Sequence, residues 1–371
     1  MSDLPEPDRL GDFRHPRDTP VLYGHARAEE SLFDAFMSGR MHHAWLLTGP
    51  KGIGKATLAY RMAKFVLTYS DANKAKVMGA DALAISDDMP AARQIASQGH
   101  PDLLVIRRPV DEKTKNAKSV IPVDQVRRTA GFFGKSAGAG GWRICIVDSA
   151  DEMNANSANA LLKVLEEPPA KSLFLLISHQ PGRLLPTIRS RCRQLAMPAL
   201  SSSAMDQVLG ANGADLSGED VAAIDTLAEG SAGRALTIAS GGGLELYRTM
   251  VGLICQMPRP DIAAMHTLAD KAARRGAEQT FEILIDLMCD WIARAVRQGA
   301  GGAPCPDIVP GESAAMAKLV HGGNLDRWVE VWEKIGESAT RAEALNMDRK
   351  LVILNAFSML EAAASGMSMS A

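Results

Sequence analysis

The residues with the clearest chemistry lie in one run, "LLTGPKGIGKATLAYRMAKF", residues 46–65. Gly49, Gly54 and Lys55 stand at the spacing G-x-x-x-x-G-K, with Gly52 between them. That spacing suits a phosphate-binding loop. The glycines let backbone N–H groups close around phosphate at a helix N-terminus, and the lysine reaches the β- and γ-phosphates. The next position, which normally carries a Mg²⁺-binding hydroxyl, holds Ala56. Thr57 comes one residue late, about 100° further around a helix, and is no simple substitute. The plain alternative is a Gly-rich strand–helix turn with a surface lysine.

A hydrolytic site also needs an acid at the end of a neighbouring strand, and "ICIVDSADEMN" supplies Asp148. The next residue, where a glutamate would orient the attacking water, is Ser149. A serine is a poor base unless another group activates it. Asp151 or Glu152 could reach the water. Equally, they could cap a helix beginning near Met153, where acids suit the positive helix end. Ser178 ends the run "SLFLLIS", close to where a γ-phosphate would lie. Arg191, in "SRC", leads into a further strand rather than facing the loop. It is either a surface arginine or one presented to a neighbour's nucleotide, where it would offset transition-state charge.

These residues need a scaffold of strands ending in functional turns. "HAWLLTG", "DLLVI", "WRICIVD", "SLFLLIS" and "CRQLAM" read as five short apolar strands separated by helical patterns. That alternation predicts an α/β parallel sheet covered on both faces. In the helix after the loop, Leu58, Met62, Phe65 and Val66 share one face. Residues 68–100 read as short helices, and 107–119 as a solvated loop of mixed charge. Ser217 opens a helix and Gly230 breaks one. From 244 the chain is helical, with Trp291, Trp328 and Trp332 as core fillers and 299–311 as a connector. The expected organisation is a flexible lead-in (1–20), a nucleotide-binding-like domain (21–198), a small helical lid (199–243) and a helical C-terminal domain (244–371), with a frayed tail.

The chain has 371 residues and a formal net charge of -2, so it carries no global basic signature for nucleic acid. Its five cysteines contain no C-x₂-C pair, which argues against a zinc knuckle or a disulfide framework. The polar N-terminus is not a signal peptide, and no apolar run reaches membrane-spanning length. The expected setting is cytoplasmic, without a membrane partner.

Six segments together resemble the clamp-loader branch of the AAA+ ATPases: "RMHHAWLLTGPKGIGKATLA" (40–59), "HPDLLVI" (100–106), "IPVDQVR" (121–127), "ICIVDSADEMNANSANALLKVLEEPP" (144–169), "LLISHQPGRLLPTIRSRC" (175–192) and "LAEGSAGRAL" (227–236). The resemblance implies a P-loop sheet domain, a lid and a C-terminal collar. It also implies Lys55 as the Walker A lysine, Asp148 as the Walker B aspartate, Ser178 at sensor 1 and Arg191 as an arginine finger acting in trans. Sensor 2 usually reads G-S-x-R, whereas here Gly233 precedes Arg234. The four zinc-binding cysteines of the motor subunits are missing, so no zinc is expected.

With Ala56, Ser149 and Gly233 at three hydrolysis positions, the resemblance implies a stator subunit that does not hydrolyse ATP itself. It would require no cofactor, although ATP or ADP could bind without Mg²⁺. Its partners would be gamma/tau-type motor and delta subunits in a hetero-pentameric ring, which loads a sliding clamp on primed DNA within a replicative DNA polymerase holoenzyme. The rival readings are an active motor and a structural scaffold with a relic P-loop.

Overall fold

The computed structural model describes residues 6–111, 117–134, 141–214, 216–304, 306–321, 323–345 and 347–366. The chain divides into two compact units. The first contains residues up to Ala211 together with Gly230–Gly233, and the second contains Asn212–Glu229 and everything from Arg234.

The first unit is built on a five-stranded parallel sheet of order β2-β3-β4-β1-β5. The strands are β1 (Ala44–Thr48), β2 (Leu103–Ile106), β3 (Arg143–Val147), β4 (Ser172–Ser178) and β5 (Arg193–Ala196). All five lie in the apolar runs predicted for them. Period-two alternation sends neighbouring residues to opposite faces. Leu47, Ile146 and Leu175 pack with α1 (Ala26–Met37) and α2 (Lys55–Tyr69), through Leu32, Phe36, Leu58, Met62, Phe65 and Val66. Leu46, Cys145 and Phe174 pack with α5 (Val123–Phe133) and α6 (Ala155–Glu166), through Val126, Phe133, Leu161 and Leu165. Between α2 and β2 lie two short helices, α3 (Ala72–Val77) and α4 (Pro90–Ala96). After β4 come α7 (Pro186–Arg189), which precedes β5, and α8 (Ser202–Ala211).

The lead-in, expected to be flexible, is anchored over residues 6–18. Arg17 forks onto Glu6 with bonds of 2.9 and 2.8 Å and donates to Ala96 O at 3.1 Å. Asp8 pairs with Arg107, just past β2, and with His15 at 3.1 Å. The His15 ring stands edge-on to Tyr60 of α2, 5.6 Å away. Charged partners buried together, not apolar periodicity, hold this segment, and Arg107 is thereby part of the packing rather than of a solvated loop. Of the predicted 107–119 loop, residues 112–116 lie outside the described residues, as do residues 367–371 of the predicted frayed tail.

The second unit is helical: α9 (Gly218–Ala228), most of α10 (Ala232–Ser240), α11 (Gly243–Ile254), α12 (Ile262–Ala273), α13 (Glu278–Gly299), α14 (Glu312–Leu319), α15 (Leu325–Leu345) and α16 (Arg349–Ser365). Ser217 caps α9 as predicted, accepting from Asp220 N at 3.2 Å. Trp291 and Trp328 are fully buried with ring centroids 6.2 Å apart, but Trp332, expected in the core, is 44% exposed. Trp332 lies about 40° around α15 from Trp328, on the side away from the buried Val331 and Ile335, and so falls at the rim of the buried stripe. Arg294, Tyr247 and Glu312 form a buried network in which Arg294 donates to Tyr247, and Tyr247 to Glu312, whose other oxygen accepts from Ile308 N and Val309 N. No helix among the described residues is long and apolar enough to cross a membrane.

Candidate functional site

The loop between β1 and α2 has the backbone its glycines predict. Gly49, Gly52 and Gly54 adopt φ of 144°, 79° and 103°, values that L side chains rarely tolerate. Gly49 is the tightest of them: a Cβ there would lie 2.1 Å from Met197 O. Lys55 begins α2, is buried, and donates through Nζ to Gly49 O at 2.7 Å and also to Pro50 O. Burial pulls its pKa down to about 8 against the opposing pull of Asp151 and Asp148. Thr57 is buried one position past Ala56, which offers no oxygen.

Strand ends bring the other predicted residues to the same edge of the sheet. Thr48 and Ser178 are register partners at the ends of β1 and β4. Ser178 is fully buried, and its hydroxyl has no protein partner among the described residues. Asp148 follows β3 and donates its backbone N–H to Ile106 O at 2.8 Å. Burial raises its carboxyl to about 7, with Asp8 and Glu152 adding to the rise, while Arg107 and Lys55 oppose it. The lead-in thus sets a second carboxylate within electrostatic reach of the Walker B position.

Three side chains near the water-orienting position, Ser149, Asp151 and Glu152, have partners. Ser149, at φ 58°, has its Oγ 3.2 Å from His179 Nε2. Asp151 accepts from His179 N at 3.0 Å and Gln180 N at 3.2 Å. Glu152 pairs with Arg108 at 2.8 Å. Neither acid caps the next helix, as one reading expected. A short turn, Ala150–Glu152, intervenes, and Asn154 caps α6 by accepting from Ser157 N at 2.9 Å. Burial, then the positive charge of Lys55, lowers the His179 pKa to about 4, so its ring is neutral near pH 7.

The segment at the sensor-2 position closes on the loop through backbone. Gly233 N–H donates to Gly52 O at 2.8 Å, and Ser231 Oγ donates to Lys51 O at 2.8 Å. A Cβ on Gly233 would meet Gly52 Cα at 3.2 Å. Arg234 turns to Asp286 and Asp290 of α13, at 3.2 and 3.0 Å.

Arg191 stands apart from this cluster. Arg193, at the start of β5, is the register partner of Trp45 near the start of β1. The strands are parallel, so Arg191 lies at the sheet edge opposite the P-loop. Nη2 pairs with Glu166 Oε1 at 2.8 Å and Nη1 donates to Thr187 O at 3.0 Å.

This donor set fits a polyphosphate, through Lys55 and the loop N–H groups. It offers Mg²⁺ less than the usual motif does, because a methyl stands at position 56 where the hydroxyl ligand would be. The sequence reading missed Asp8, Arg107 and His179. Only His179 had a local signal, as the polar residue following Ser178.

A family model described as DNA polymerase III, delta subunit, matches residues 24–201. The chain is 33% identical to DNA polymerase III subunit delta' of Pseudomonas aeruginosa over 75% of its own length and 81% of that protein's. It is 28% identical to the Escherichia coli subunit delta' over 78% of this chain and 80% of that one. It is also 29% identical to DNA polymerase III subunit tau of Salmonella typhimurium, over 50% of this chain and 26% of that one. Taken with the parallel sheet and the P-loop turn, these likenesses show that the chain belongs to the delta' family of DNA polymerase III subunits.

Proposed function

We propose that this chain is a clamp-loader subunit that does not hydrolyse ATP at its own P-loop and that supplies Arg191 to ATP held by a neighbouring subunit. Its partners on this reading are tau/gamma-type and delta subunits in a five-membered ring, which opens a sliding clamp and places it on primed DNA. One observation carries the reading: no carboxylate stands at position 149, where a serine bonds His179 instead, while the nearby Asp151 accepts from two backbone N–H groups and Glu152 pairs with Arg108. Without a metal ligand at position 56, a water-orienting carboxylate or a sensor arginine, most electrostatic help to phosphoryl transfer is gone. Nucleotide binding through Lys55 and the loop N–H groups is compatible with this and needs no Mg²⁺.

The test is ATP turnover by the isolated chain beside an Ala56→Thr, Ser149→Glu variant. The expected rate for the parent chain is the no-protein background. A parent rate on the order of 1 s⁻¹, left unchanged by the double substitution, would overturn the reading. A second reading, a slow ATPase, draws support from one contact: a neutral His179 could accept the Ser149 proton and help orient water. His179→Ala would then abolish whatever turnover the chain has.

A further inference from the structure

Arg191 is held by two elements. Its Nη2 pairs with Glu166 at 2.8 Å, and its Nη1 donates to the Thr187 carbonyl at 3.0 Å. A guanidinium has five N–H donors in a fixed plane, so these two contacts, to two different elements, constrain the plane and leave three donors for other acceptors. The ion pair is accessible, with the arginine side chain 36% and the glutamate 49% exposed. Exposed pairs contribute little to stability, so the contact is better understood as geometry than as glue.

Glu166 is well placed to define that geometry. It is the last residue of α6, a helix locked at its other end by Asn154 and by Ser157 Oγ donating to Ile121 O at 2.7 Å. Leu161 and Leu165 bury the helix against the sheet. The carboxylate therefore rides on a rigid element, while the arginine it holds lies on the short connection between α7 and β5. An unheld arginine would have to find its attacking geometry by search through four torsions, and misplacement of a charged group by about 1 Å is costly.

We infer that Glu166 is the positioning residue for Arg191: it sets the plane of the guanidinium before the partner's phosphates arrive and yields easily because the pair is solvated. This rests on the reading that Arg191 acts in trans. Glu167, also exposed and next in the chain, is the control.

The test uses the chain in a complex reconstituted with tau/gamma-type and delta subunits, and follows steady-state ATP turnover with clamp and primed DNA. Glu166→Gln and Glu166→Ala should each lower kcat about three- to tenfold with KM for ATP unchanged, while Glu167→Gln has no effect. In an Arg191→Ala background the Glu166 substitutions should cost nothing further. Because both side chains are exposed, the thermal midpoint of the isolated chain should not move. A loss with Arg191→Ala but full activity with the Glu166 variants overturns the positioning role alone. So does an equal loss in both backgrounds, or a gain in rate. No loss with Arg191→Ala removes the trans reading and this inference together.

Discussion

Asp148 is the residue at which the chemistry of this site is most altered. Burial, with Asp8 and Glu152 close by, holds its carboxyl at about 7 instead of the ordinary 3.8. A carboxyl raised by folding favours the protonated folded state. Its contribution is complete below the unfolded value and is lost as pH rises through about 7. Asp148→Asn keeps the shape and cannot ionise. The variant should therefore match the parent at acid pH and become the more stable of the two as pH rises, by on the order of 1–3 kcal/mol at pH 8. Denaturation midpoints measured from pH 4 to 8 check this, and a constant offset across that range would contradict it. At this scale the sequence disclosed Asp148, Lys55, Ser178 and the departures at 56, 149 and 233, because each sits at a fixed step from a motif glycine or strand end. It could not disclose Asp8 beside Asp148, or His179 on Ser149. Those pairs are 140 and 30 residues apart in the chain, and although His179 follows Ser178 directly, no local pattern records either pairing.

Among the elements, the five strands and the helix after the loop were readable from apolar runs and glycine punctuation. The anchored lead-in was not, since its Pro-rich polar residues find their partners only in the folded unit. The contact between Gly233 and Gly52 was equally hidden, although it explains more than the missing arginine does. Backbone packs on backbone there, and a side chain at 233 must push into the loop. Gly233→Arg should consequently lower stability by about 1–3 kcal/mol and create no ATP turnover. A stable Gly233→Arg chain with new turnover would show that the loop accommodates a sensor arginine after all. In the helical unit, Arg294 and Glu312 are buried together around Tyr247. Arg294→Met leaves a carboxylate buried without its cation and should cost about 3–5 kcal/mol. Adding Glu312→Gln removes the stranded charge and should recover part of that loss. Urea denaturation of both variants separates this from simple loss of volume, which the second substitution would not repair.

For the molecule as a whole, the account divides labour between two edges of one sheet. The edge bearing Gly49, Lys55 and Asp148 keeps the form of a nucleotide site but carries a serine where the water-orienting acid would stand. The opposite edge presents Arg191, held ready by Glu166. On the proposed function, hydrolysis is lost at this subunit's own loop and Arg191 serves a neighbour's ATP, a combination that suits one subunit of a larger assembly. The most direct test is DNA-stimulated ATP turnover by the reconstituted clamp loader, with Arg191→Ala and Lys55→Ala compared in this subunit. The account predicts that Arg191→Ala lowers turnover about tenfold or more, while Lys55→Ala changes it by less than about twofold. Full turnover with Arg191→Ala, or a large loss with Lys55→Ala alone, would contradict it.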